Sequence, residues 1–165
     1  MSDSTPKGID PRGPRFGAAI TAVLLLVTIG LSLAGLSNHG LFVAGQIVFA
    51  YITLVFAWGA FAGVQRHPYG LFFKNVIRPR IAAPKELEDP IPPTFAQGVG
   101  LVITLIGFVL SLIPGVELAL PIAAAAAFVA AFLNSVFAYC LGCQIYLLLV
   151  RLGILGRKRG TPAAA

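Results

Sequence analysis

Cys140 and Cys143 are the only cysteines in the chain, and they form one motif, Cys140-Leu141-Gly142-Cys143, inside its last hydrophobic stretch. On a helix, positions i and i+3 share a face, so the two sulfurs can meet each other, a metal or a common substrate. One chemistry this spacing suits is a redox-active dithiol, or a thiolate that accepts sulfur. The plainer reading is packing, because a free cysteine behaves as a small apolar side chain. A third reading is zinc, which asks for about two further ligands. His67 is a donor on the same side of the membrane in the topology derived below, and His39 falls on the other side. No Lys, Arg or His lies within several residues of the pair, and apolar surroundings raise a thiol pKa. A helix break at Gly142 would work the other way. It would set Cys143 at a helix N-terminus, where the dipole favours a thiolate and makes Cys143 the attacking sulfur.

Two more residues are candidates for the same chemistry. His67 stands beside Pro68 at the end of a hydrophobic segment and ordinarily titrates near neutrality, so it is a candidate acid or base for a thiol. Its ordinary role would be a solvated turn residue. Asn134 precedes Cys140 by nearly two helical turns, and so can bound the same cavity. For Asn134, as for Gln46, an interhelical hydrogen bond is the commoner fate of a polar residue in an apolar segment.

These residues need a scaffold, and the composition says what kind. Of 165 residues, 58% are apolar and 11% charged, with a mean hydropathy of +0.89. Soluble domains carry about 25% charged residues. The chain is an all-α integral membrane protein whose solvent is the bilayer. Uncharged segments run from Phe16 to Ser37, Leu41 to Val64 and Phe95 to Leu112. Each suits one crossing of about 30 Å of hydrocarbon. A fourth, Leu118 to Val150, exceeds one span and predicts a change of direction between Asn134 and Gln144. The first segment is too long for the apolar core of a secretory signal and reads as an uncleaved span.

Lys and Arg residues cluster before the first span, between the second and third, and after the fourth. None lies in the other two loops. The net charge of +6 therefore orients the chain and is not a nucleic-acid patch. The positive-inside rule predicts four spans, with both termini and the loop 65–94 cytoplasmic. Within that loop, Leu71 to Arg78 reads as an interfacial aromatic and basic stretch, and Pro79 to Pro93 as extended and mobile. Residues 1–15 and 156–165 read as disordered tails around a membrane domain of 16–155. Gly59-x-x-x-Gly63 and the row Ala123, Ala127, Ala131 read as helix contacts within one bundle, with a homodimer as the alternative. The sequence contains no Walker loop, HExxH, GxSxG or Rossmann glycine pattern, and no intramembrane carboxylate. No cofactor is predicted, and a proton-coupled transporter of the usual kind is disfavoured.

Four segments resemble one bacterial family of membrane proteins, catalogued as domain of unknown function 4395. They are Asp10 to Phe16, Arg66 to Gly70, Phe95 to Gly100, and Phe132 through Cys140-Leu141-Gly142-Cys143-Gln144-Ile145-Tyr146. The resemblance extends from Asp10 to about Arg151. It implies a four-span membrane fold. It also implies an association with thiol and sulfur metabolism, since similar proteins are thought to occur beside sulfurtransferases and thioredoxin-like proteins. It assigns no activity and no catalytic residue. The expectation that follows is a membrane thiol-redox or sulfur-relay component built on Cys140 and Cys143, exchanging with a cytoplasmic thioredoxin-like or sulfurtransferase partner. The alternatives are a scaffold or assembly subunit, and a small oligomeric channel or transporter.

Overall fold

The computed structural model describes residues 8–84 and 86–155. Six α-helices follow in order: α1 (Arg12–Gly35), α2 (His39–Ala62), α3 (Pro68–Phe72), α4 (Ile91–Leu110), α5 (Ala119–Phe137) and α6 (Leu141–Arg151). Among the described residues there is no strand, only one antiparallel backbone pair between Ile9 and Glu88. α1, α2, α4 and α5 are long and apolar enough to cross a membrane. The helices of the first three spans begin earlier than the apolar runs suggest. Pro14 lies in the first turn of α1, and Pro92 and Pro93 in that of α4. There the missing N–H has no partner to lose, so proline starts a helix.

The four long helices form a ring in the order α1, α2, α4, α5, with α5 closing back on α1. The centre holds Leu25, Phe49, Ile52, Leu120 and Ala124, all nearly or wholly inaccessible. Small residues set the spacing. A Cβ on Gly35 would fall 2.4 Å from the backbone nitrogen of Phe42, and one on Gly107 would fall 2.2 Å from the Cβ of Ala123. Backbones that close exclude any larger residue. Thr28, Thr53 and Thr104 are buried, and each donates its hydroxyl to a carbonyl one turn back, at 2.9–3.0 Å. Such bonds satisfy a hydroxyl where lipid offers no partner. Gln46 does make the expected interhelical bond, donating from Nε2 to the Ser111 carbonyl at 3.1 Å and to its Oγ at 3.2 Å.

The GxxxG reading divides. Gly59 packs inside the bundle, where a Cβ would meet Gln97 at 2.7 Å and His67 at 2.9 Å. At Gly63 an added Cβ would meet nothing within 4 Å. Gly63 caps α2 with φ +84°, a conformation that only glycine adopts freely.

Two expectations about flexible segments are corrected. The tail expected to be disordered through residue 15 is ordered from Gly8. Ile9 and Glu88 exchange two backbone hydrogen bonds of 2.9 Å, and Asp10 is held by Arg12. Met1 to Lys7 and the tail from Gly156 lie outside the described residues. The segment from Pro79 to Pro93, expected to be extended throughout, is helical at its two ends, in a 3-10 turn through Arg80 and in α4 from Ile91, and has no helix among the described residues between them. After α3 the chain continues as a π turn (Phe73–Ile77) and a short 3-10 turn (Arg78–Arg80), and the Phe72 and Phe73 rings pack on Phe16.

The long fourth segment breaks where expected. α5 ends at Phe137 and Ala138 turns left-handed, with φ 56°. The Tyr139 N–H then donates to the Leu133 carbonyl at 3.1 Å. α6, with 11 residues, is about 16 Å long and too short to span.

Candidate functional site at the basic end of the bundle

The break delivers the cysteines. Cys140 is extended and is the N-cap of α6, and its Sγ accepts the backbone N–H of Cys143 at 3.2 Å. The two sulfurs are joined in a disulfide, with Cα atoms 5.2 Å apart. The bonded form is one of the two states expected of a dithiol pair that cycles. Its physical reason is local: one turn at a helix start brings residues i and i+3 within bonding reach. The break also lies before the motif and not at Gly142. Gly142 sits within α6, where a Cβ would fall 2.5 Å from that of Ala96 on α4. The helix terminus thus favours Cys140, not Cys143, as the stabilised thiolate once the bond is reduced. Tyr146 lays its ring 5.5 Å from that of Phe95, a second contact between α6 and the start of α4.

Cys140 lines a cavity of about 570 Å³ between α1, α4, α5 and the chain that follows α2. His67 and Asn134 line it too, so three of the four candidate residues share one space. Cys143 does not line it and stands behind Cys140. Gln97, Lys74 and Arg78 complete the polar part of the wall.

His67 is 6% exposed, with its ring 5.2 Å from that of Tyr69 in an edge-on contact. Burial pushes its pKa down from 6.5 to about 4, so the ring is neutral at physiological pH. That corrects the view of a solvated turn residue. A neutral imidazole offers one N–H and one lone pair for hydrogen bonding. Burial also raises the Tyr69 phenol well above its ordinary range, as does its hydrogen bond to Tyr51. The Asn134 side chain makes no hydrogen bond among the described residues, so it does not form the interhelical tie that was its plainer reading, and the residue lines the cavity. Among the described residues no group of three or more His, Cys, Asp or Glu side chains is placed to hold a metal.

A charged latch closes the cavity's outer edge. Asp10 is 8% exposed and accepts from Arg12 at 2.9 and 2.7 Å, while Arg78 lies 3.9 Å away. Arg12 also donates to the Ala82 carbonyl at 3.0 Å. The hydrogen bonds from the Arg12 side chain hold the Asp10 carboxyl below its usual range. Arg15, on α1, donates to the Ser135 carbonyl at 3.5 Å, near the end of α5.

Sequence reasoning did not single out Gln97, Lys74 or Arg78 as site residues. The signal was present for Gln97, which lies in one of the four segments that carried the family resemblance. All four of those segments contribute to this one cavity: Asp10 and Gly13, His67 and Gly70, Ala96 to Gly100 in part, and Asn134 to Ile145 in part. Comparison with curated proteins and with solved structures finds no match. A family model does match, over residues 9–151. The chain belongs to that family, described as a domain of unknown function (DUF4395).

Proposed function

We propose that this protein is a thiol-redox component of a bacterial inner membrane, with its basic end and both termini cytoplasmic. In this reading Cys140 and Cys143 cycle between disulfide and dithiol. The observation that carries it is the position of Cys140, which is bonded to Cys143, caps α6 and lines a cavity with His67 and Asn134. Packing alone does not require a bonded pair at a helix start, and a reducing compartment does not maintain a purely structural disulfide.

The exchange is balanced with a partner dithiol. A partner thiolate attacks Cys140 Sγ, the Cys140–Cys143 bond breaks, and Cys143 leaves as a thiolate. The partner's second thiolate then attacks its own mixed disulfide and releases Cys140. The partner loses two electrons to the pair, and the protons of its two thiols end on Cys140 and Cys143. The family resemblance favours a thioredoxin-like protein as that partner. The sulfur-relay form of the reading replaces the partner dithiol with a persulfide from a sulfurtransferase. Its outer sulfur passes to the Cys140 thiolate of the reduced pair, and the donor thiolate leaves.

The test uses single mutants. Cys143→Ser retains the capping sulfur and removes the one that resolves its adducts, so it should accumulate a mixed disulfide in cells. Cys140→Ser should accumulate far less. Non-reducing gels and mass spectrometry read the result, and a mass gain of one sulfur on Cys140 identifies the relay form. If neither mutant holds an adduct and the pair is reduced in every growth condition, the scaffold reading takes its place.

A further inference from the structure

The cavity has two approaches of different character. The polar groups, with Cys140, gather where the loop after α2, the start of α4 and the end of α5 meet. From there the wall follows α1 from Gly13 to Thr21, α4 from Ala96 to Ile103 and α5 from Asn134 back to Ala126. That is about two turns, or 10–12 Å, into the spans. This inner part is walled by glycine, alanine and apolar side chains. It is also open sideways. Ala126 on α5 and Ile145 on α6 both line the cavity and both remain exposed. At the depth of a spanning helix, the medium outside such an opening is hydrocarbon.

A water-soluble thiol has no use for an apolar shaft that opens into lipid. A bilayer-soluble molecule with a polar reactive head does. The head must also suit its neighbours. His67 and Gln97 both line the cavity and converge on Gly59, each an imidazole or amide able to hydrogen-bond a ligand, and Ala96, next to Gln97, touches the glycine of the cysteine motif. From this arrangement we propose that the cavity binds an isoprenoid quinone, with its ring beside Cys140 and its tail leaving between α5 and α6, and that this quinone reoxidises the cysteine pair. The inference rests on the thiol-redox reading and names its electron acceptor. The volume of about 570 Å³ falls in the range of roughly 300–1,000 Å³ for small-molecule sites.

The step balances. The Cys140 thiolate adds to a ring carbon, and the electron pair moves onto a carbonyl oxygen. The Cys143 thiolate attacks Cys140 Sγ, the sulfur–carbon bond breaks, and its electrons stay with the ring. The quinone gains two electrons and the two protons of the former thiols and leaves as quinol, and the disulfide is restored. Hydrogen bonds from His67 and Gln97 to the carbonyl oxygens, with the positive field of Lys74 and Arg78, stabilise the charge that develops there.

The experiment uses the full chain in nanodiscs, reduced and then freed of reductant, with decylubiquinone as the probe. Its ring is fully substituted, so thiols do not consume it at a free ring carbon. We expect one quinol formed per protein as two thiols are lost, followed by absorbance and by maleimide mass-tagging. Ala126→Phe and Ala130→Phe fill the shaft from positions that are not buried, so they should fold. Each should slow oxidation by the quinone tenfold or more and leave oxidation by a small water-soluble disulfide at the wild-type rate. If the soluble disulfide oxidises the pair and the quinone does not, the quinone site is overturned and the thiol-redox reading stands. Equal quinone rates in the filled variants overturn the site as well. If neither oxidant acts, the thiol-redox reading fails and reoxidation by quinone fails with it. Binding is measured separately by calorimetry on the Cys140→Ser, Cys143→Ser double variant. Binding that the filled variants lose supports the site. No binding, or a phospholipid retained by native mass spectrometry that the quinone does not displace, overturns it.

Discussion

His67 shows how burial changes what a side chain can do. In water it would gain a proton near pH 6.5. In its pocket against Tyr69 it does so only near pH 4, because the charged ring loses its hydration. The folded state therefore binds fewer protons than the unfolded chain between those two values. Stability is full above pH 6.5 and declines as pH falls toward 4, by about 3 kcal/mol at most from this residue. Thermal unfolding in detergent, followed from pH 7.5 to 4.5, should show a steeper loss for the wild type than for His67→Gln. Parallel slopes would mean that the ring keeps its hydration in the folded state. The sequence could nominate His67 only for its type and its place at a span end. Its desolvation comes from Gly59, Tyr69 and Gln97, residues that the fold brings together and no local pattern announces.

At the scale of elements, the junction of α5 and α6 decides where the cysteines stand. Its left-handed residue is Ala138, and among the described residues it is the only non-glycine with positive φ. Alanine in that conformation costs roughly 1–2 kcal/mol, and glycine is the usual occupant of such a helix end. Ala138→Gly relieves the strain but gives the unfolded chain more freedom. The net gain should be about 0.5–1 kcal/mol, or a midpoint higher by about 1–3 °C. A lower midpoint would show that the alanine methyl contributes packing that outweighs its backbone cost. The existence of this junction was legible, since an uncharged stretch of that length does not fit one span. Its region, between Asn134 and Gln144, was legible as well, but the residue that turns was not. Asn134, Ser135 and Gly142 are ordinary helix breakers, yet the chain turned at an alanine. The contact of Gly142 with Ala96 asks for a glycine inside α6, and the turn moved to the residue left over.

For the whole molecule, the four long helices, their apolar lengths and the clustered basic residues follow from composition and charge. The site follows from neither, because its wall comes from segments far apart in the chain that no single period or motif connects. The ring order α1, α2, α4, α5 makes the junction possible. An even number of crossings returns the chain to the end where α1 began, so Asp10, the loop after α2, the start of α4 and the Cys140 turn all meet there. That end also carries Arg12, Arg15, Arg66, Lys74, Arg78, Arg80 and Arg151, and the opposite loops at Asn38 and Pro114 carry no Lys or Arg. In the proposed topology, which rests on the positive-inside rule, the site faces the cytoplasm. The assignment depends on α6 not crossing, and its length of 11 residues leaves it well short of a bilayer. A reporter that fluoresces only in the cytoplasm should be bright when fused after Ala165 and dark when inserted between Ser37 and Asn38. Cys143 should label with a thiol reagent from the cytoplasmic face of inverted vesicles once the disulfide is reduced. A dark C-terminal fusion on expressed protein would place the cysteine pair on the other side of the membrane. Its oxidised state would then need no cycle, and the bond would be structural.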